Sequence, residues 1–423
     1  MRRFFAFLLC CFCLQITPVF ADVPTVAPIA SVEYVHNAIE QQLNITVPYN
    51  PNLTNRGAAA NMEYLLTAID AANALAGRTT SYGTGEYATK YAANTAVVIQ
   101  AIETLGPGAE LSSELYFTTI PDTTSFSFIV TAAGEFQVDW GDGAGIETVT
   151  NEKTAKKTIS HTYTTPGEYK IHLAGSIIGY NNNANNSISL KNNTALARVD
   201  GSFASVFPII GTDVPTFYET FYGCTNLAYI PENLFYGLET APVKSMFNST
   251  FTNCTSLTKI PPKLFAQVNG APATSVFYGT FKGCTGITEI PHDLFAGIVG
   301  KPAQSMFAQT FVDCRGITEI PSDLFAGISG APAAHMYNAT FQRCTNITEI
   351  PMGLFGDISG DMATSMFTAA FDGCTKLAGP SARNPDGEYL YNQFPSATTT
   401  QVKIMYRGAT RLSDYDDIPT AWK

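Results

Sequence analysis

The chain has 423 residues, enough for two or three domains, and a hydrophobic content of 45% to supply their cores. Its formal net charge is −11 with only 14% charged residues, and no Lys/Arg-rich cluster interrupts that balance, which argues against a nucleic-acid surface. After residue 21 no apolar run reaches the length of a transmembrane helix.

Residues 1–21 read as a cleaved secretory signal. Arg2-Arg3 form the charged start, Phe4 to Leu14 the apolar stretch, and Val19-Phe20-Ala21 the small-residue cleavage site. Cys10, Cys11 and Cys13 lie inside it, and none follows the Gly or Ala that a lipoprotein signal places there. The expectation is export to the cell surface or extracellular space, with the periplasm or outer-membrane surface as alternatives.

Residues 22–110 are expected to form a helical spacer or stalk. Val32, Val35, Ile39 and Leu43 fall at helical spacing, as do Met62, Leu65, Leu66, Ile69 and Leu75, and Gly106-Pro107-Gly108 closes the segment. A spacer is the plain reading, and self-association through this segment is the alternative. No heptad pattern lasts long enough to specify a coiled coil.

Residues 111–178 change to strand patterns. Ser125 to Val130 and Phe136 to Trp140 alternate, Gly141-Asp142-Gly143 makes a tight turn, and His161-Thr162-Tyr163 and Tyr169 to Leu173 follow. Asp139 and Asp142 offer two carboxylates without the bidentate Glu of a calcium loop, so a structural turn is the preferred role. The sequence Trp-Gly-Asp-Gly, then His-Thr-Tyr, then Pro-Gly-x-Tyr-x-Ile resembles the PKD-like domain, an immunoglobulin-like β-sandwich of bacterial surface proteins. That resemblance implies a core role for Trp140 and a turn role for Gly141 and Gly143. Residues 179–223, with their Asn-rich run, are expected to be a linker and N-terminal solenoid cap.

Residues 224–378 carry a repeat of thirty residues. Cys224, Cys254, Cys284, Cys314, Cys344 and Cys374 keep that interval, as do Phe251, Phe281, Phe311 and Phe341 three residues before their cysteines. Ile-Pro recurs from Ile230-Pro231 to Ile350-Pro351. A fixed period of this length marks stacked supersecondary units. Within residues 302–330, Met306, Phe307, Thr310, Phe311 and Cys314 fit one helical stripe opened by Pro302. Gly316 to Ile320 reads as a strand, and Pro321 to Ile328 as a second helical turn ending at Gly330. Residues 379–423 are expected to be a C-terminal cap, with Ala409 in the cysteine position. The predicted fold class is therefore multidomain α+β: a helical N-terminal segment, a PKD-like β-sandwich, and a leucine-rich-repeat-type αβ solenoid.

The order Met-Phe, then Phe-x-x-Cys-Thr-x-Leu, then Ile-Pro resembles the leucine-rich-like repeats of BspA-type bacterial surface proteins and mycoplasma surface lipoproteins, over residues 194–423. The thirty-residue unit is longer than the BspA unit. What the resemblance implies is adhesion to extracellular-matrix proteins or other cells.

Equal phase makes the six cysteines point the same way, whereas a disulfide needs its Cβ atoms about 3.5–4.5 Å apart and turned toward each other. They read as reduced, buried core residues beside the Phe column, with pairing as the alternative. On the outward side one column runs Tyr229, Lys259, Glu289, Glu319, Glu349, next to Ala228, Thr258, Thr288, Thr318, Thr348. That column is the candidate partner-binding strip, Tyr229 its aromatic anchor; a solvated acidic face is the alternative.

Five histidines, His36, His161, His172, His292 and His335, are scattered, the repeated cysteines lack the Cys-x-x-Cys arrangement of a zinc site, and no Gly-x-Ser-x-Gly elbow occurs. No catalytic group, cofactor or metal is expected. The function expected is a non-catalytic surface adhesin or recognition protein binding an extracellular protein or glycan through its repeats. Alternatives are a structural envelope or fibre component, and an accessory module for polysaccharide or protein degradation.

Overall fold

The computed structural model describes residues 114–423 except 154 and 182–185, and Glu114–Lys423 forms one compact unit. The signal expected at 1–21 and the helical segment expected at 22–110 lie outside the described residues.

The first part is two antiparallel sheets packed face to face. Strands β1 (Leu115–Thr119), β2 (Thr123–Val130), β3 (Ala133–Asp139), β4 (Ile146–Asn151), β5 (Lys157–Gly167), β6 (Lys170–Gly179), β7 (Ile188–Ser189) and β8 (Leu196–Asp200) build them. One sheet has the order β4-β3-β6-β1-β8 and the other β5-β2-β7. Alternation aims Leu115 and Phe117 of β1, Phe126 and Phe128 of β2, and Phe136 and Val138 of β3 inward, where all are buried. Phe117 meets Phe126 and Phe128 across the gap at 6.2 and 5.9 Å.

Trp140 is buried at the end of β3. Its indole N–H donates to Glu147 Oε2 (2.9 Å) and its carbonyl accepts from the Tyr163 hydroxyl (3.1 Å). Asp139 and Asp142 shape the turn that follows, accepting from the Gly141 and Ala144 amides at 2.9 and 3.0 Å. His161 stacks on Trp140 (5.0 Å) and holds Asp142 Oδ2 at 2.7 Å. Gly141 has φ +76°, and a Cβ there would stand 2.6 Å from the Lys170 carbonyl oxygen, so both conformation and space require glycine.

Strand β8 joins the two parts. It closes the larger sheet against β1 and bridges forward, in parallel, from Arg198 to Tyr229. The sandwich therefore extends into the stretch expected to be a linker and cap.

The αβ solenoid expected from the sequence is not what forms. Among the described residues, α-helix is confined to α1 (Leu390–Gln393) and α2 (Thr399–Val402) in the C-terminal part. Neither the helix expected over 302–314, the strand at 316–320, nor the helical turn after Pro321 is present. Each repeat is a run of linked turns. In the fourth, φ is positive at Ser305 (54°), Gln309 (59°) and Asp313 (60°), every fourth residue, which no α-helix tolerates. The even-numbered amides Ala308, Thr310, Val312 and Cys314 donate three residues back within the turn. The odd-numbered amides Ser305, Phe307, Gln309, Phe311 and Asp313 donate to Ala334, Met336, Asn338, Thr340 and Gln342 of the next repeat, at 2.8–3.1 Å. Half the amides thus build the turn and half bind the neighbour.

The helical reading failed for a geometric reason. Buried residues here recur strictly at four, as Met306, Thr310, Cys314 and as Phe307, Phe311. A helix advances about 100° per residue, so a four-residue file drifts only about 40° per step and passes for a stripe over three turns.

Stacking places equal positions on one another. Phe221, Phe251, Phe281, Phe311, Phe341 and Phe371 lie 5.4–5.8 Å apart with planes within 12°. Tyr406 and Trp422 continue the column at 6.1 and 6.5 Å. A second file runs Phe247, Phe277, Phe307, Tyr337, Phe367 and a third Phe235, Phe265, Phe295, Phe325, Phe355. Burial of these rings, about 1.5–3 kcal/mol each against leaving them exposed, dominates the stability of the stack.

Candidate interaction surface

Two walls of the stack differ in how their charges are used. On the turn wall the acids are matched. Asp372 accepts from Arg407 Nε and an Nη at 2.7 and 2.8 Å and from Gln342 at 2.8 Å. Asp313 takes Arg343 Nε at 2.8 Å and Arg315 at 3.1 Å, and these guanidinium hydrogen bonds, Arg343 first, hold its carboxyl below the usual carboxylate range. Glu219 pairs with Lys191 at 2.6 Å.

The other wall is formed by the segment between each cysteine and the following Ile-Pro. Ile317 and Ile320 turn inward and are buried, which leaves Thr318 and Glu319 outward. Gly286, on the equivalent segment one repeat earlier, lies so close to the preceding repeat that a Cβ would stand 2.7 and 2.8 Å from the Thr255 and Leu257 carbonyl oxygens. The result is two exposed files, Ala228, Thr258, Thr288, Thr318, Thr348 and Lys259, Glu289, Glu319, Glu349, one member per repeat. Lys263, Asp293 and Asp323 are exposed in a further file. Asp323 meets His292 at 3.0 Å. Glu289, Asp293, Glu319, Glu349, Lys259 and Lys263 have no ion-pair partner among the described residues.

Tyr229 stands in the same file, but half-buried. The Arg198 guanidinium lies 3.7 Å from its ring centroid and is itself paired with Asp200. Burial pushes the Tyr229 phenol up. One face of the ring is thus already occupied, and the exposed strip consists of the four charged members. Sequence reasoning missed Arg198 because it precedes Tyr229 by 31 residues, one more than the period.

The residues placed in the repeat core are all inside. Phe251, Phe281, Phe311, Phe341 and the six cysteines are fully buried, and the cysteines are free. Each thiol from Cys254 onward donates to the carbonyl of the Phe thirty-three residues earlier, as Cys254 to Phe221 (3.2 Å), Cys284 to Phe251 (3.0 Å) and Cys314 to Phe281 (3.0 Å). Thr250, Thr280, Thr310 and Thr340, four residues before, use their hydroxyls the same way on Phe217, Phe247, Phe277 and Phe307. The sequence signal for this was a threonine four residues before the cysteine in each of the first five units. Burial raises the Cys284 and Cys374 thiols to about 12 and the Cys254, Cys314 and Cys344 thiols well above their ordinary value. Among the described residues no three His, Cys, Asp or Glu side chains group in a way that could hold a metal ion.

No protein-family model matches this chain, and neither a curated protein nor a solved structure does.

Proposed function

We propose that this chain is an exported, non-catalytic surface protein that recognises a basic extracellular protein, on host matrix or another cell, through the exposed files at Lys259, Glu289, Glu319 and Glu349. The observation that carries this reading is the contrast between the two walls. Acids on the turn wall are neutralised inside the chain, whereas Glu289, Asp293, Glu319 and Glu349 are left without ion-pair partners among the described residues.

Neighbouring carboxylates one repeat apart repel by a few tenths of a kcal/mol when exposed. A cationic segment laid along the strip relieves that repulsion at several points together. A rigid array of this kind also loses little conformational freedom on binding, which favours affinity per contact. The resemblance to BspA-type repeats and the signal-like residues 1–21 support export and adhesion. The test is binding of the full chain to matrix proteins and to cells, compared with an E289K/E319K/E349K variant of equal stability. Loss of binding supports the reading, and retention of full affinity removes the strip from it.

A further inference from the structure

The six stacked thiols have a consequence beyond packing. They stand at one turn position in six successive repeats, fully buried and unpaired. The rings three residues before them lie 5.4–5.8 Å apart from repeat to repeat. Side chains in equal phase project in parallel. A disulfide requires about 2.05 Å between sulfurs and about 3.5–4.5 Å between Cβ atoms turned toward one another. Bridging neighbours would draw two repeats together and twist them against the amide bonds that the turns of each donate to the next, five of them in the fourth repeat. Bridging any two repeats farther apart would need to span a full repeat between them. Every bridge would also take two S–H donors away from backbone carbonyls such as those of Leu190, Phe251 and Phe281.

We infer that the cysteine column is a redox gate on folding: the closed stack and any disulfide among these six residues exclude each other. The reduced chain closes the stack, and the closed stack hides the thiols from oxidant. A chain oxidised while open stays open until it is reduced. The chemistry is thiol–disulfide exchange with a small disulfide such as glutathione disulfide. One cysteine thiolate attacks it, forms a mixed disulfide and releases one glutathione thiolate. A second cysteine thiolate then displaces the other glutathione, so two cysteine thiols are oxidised, one small disulfide is reduced, and the two cysteine protons end on the two glutathione thiols released. For an exported protein the gate sets an order of events, with stacking before exposure to oxidant.

The test uses the full reduced chain in two arms. In the first, the folded protein is held with millimolar glutathione disulfide and its cysteines are located by peptide mapping, which separates the six column thiols from Cys10, Cys11 and Cys13. The result expected is no modification of the six beyond the rate of global unfolding. In the second, the chain is unfolded in guanidinium, oxidised with glutathione disulfide, mapped, and returned to native buffer. The result expected is no native near-ultraviolet spectrum until dithiothreitol is added, and then recovery to the level of a reduced control. Modification of a column thiol in the folded protein faster than unfolding would overturn the inference. So would recovery of the native spectrum by a chain still carrying a mapped disulfide among the six. Where the reduced control does not refold, the first arm decides alone.

Discussion

The Cys314 thiol points at the carbonyl oxygen of Phe281, 3.0 Å away and one repeat back in the stack. The Thr310 hydroxyl stands in the same relation to Phe277, at 3.0 Å. Both side chains place a donor on a carbonyl that already accepts an amide within its own turn, so they join repeats without leaving any group unpaired. Thr310→Val keeps the shape and removes the donor. Because the Phe277 carbonyl keeps the Thr280 amide as its partner, the expected loss is about 1 kcal/mol. Phe311→Ala opens a ring-sized cavity in a stacked column and is expected to cost about 3–5 kcal/mol. Denaturant unfolding of the two variants checks the ordering, and a larger loss for the threonine would contradict it.

The buried thiols also predict sensitivity to base. A free cysteine titrates near 8.5, whereas burial holds Cys224, Cys284 and Cys374 up to about 12. Between those values the unfolded chain binds fewer protons than the folded one, so stability falls as pH rises. The contribution is fully present below about 8.5 and is lost progressively toward about 12. Unfolding midpoints measured from pH 7 upward should drop steeply from about 8.5. Replacing Cys284 by Ser should make that drop shallower.

At the acid end the sign reverses. Hydrogen bonds from Arg343 and then Arg315 hold Asp313 below its ordinary value, and the Ala144 amide and then His161 do so for Asp142. Their contributions are present above the unfolded carboxyl value, about 3.9, and disappear as pH falls through the depressed folded values. Asp313→Asn is expected to lower stability at pH 7 and to reduce the loss on acidification below pH about 4. Equal acid sensitivity of variant and wild type would remove Asp313 from this account.

Gly286 tests the close approach of the exposed wall. A Cβ there would stand 2.7 Å from one backbone oxygen and 2.8 Å from another, neither of which can turn aside as a flexible side chain would. Gly286→Ala is expected to destabilise by about 1–3 kcal/mol. Gly300→Ala meets no atom within 4 Å but has φ +100°, so its cost comes from backbone conformation alone.

The thirty-residue beat, the inward files of Phe and Cys and the outward files of Thr and Glu could all be read from residue spacing, because stacking makes equal positions equivalent. The local backbone could not. Met306, Phe307, Thr310, Phe311 and Cys314 satisfy a helix and a four-residue turn period equally over so short a span. Deciding between them required Gly279 and Gly283 in the third repeat, whose φ of 60° and 73° repeat at that same interval. In the fourth repeat Gln309 and Asp313 hold those places and give no such hint, since nothing local compels them to positive φ. It is the amide bonds to the next repeat that compensate for it. The covering of Tyr229 by Arg198 was hidden for a similar reason: it depends on β8 serving the sandwich sheet and the stack together.

The most direct measurement is the affinity of the full chain for immobilised basic matrix protein at low and high salt, alongside the E289K/E319K/E349K variant. Exposed substitutions of this kind change stability by about 0.5 kcal/mol or less each, so folding should be unaffected. The account predicts salt-sensitive binding by the wild type and its loss in the variant with an unchanged unfolding midpoint. Binding by the variant as tight as by the wild type, or binding indifferent to salt, would contradict it.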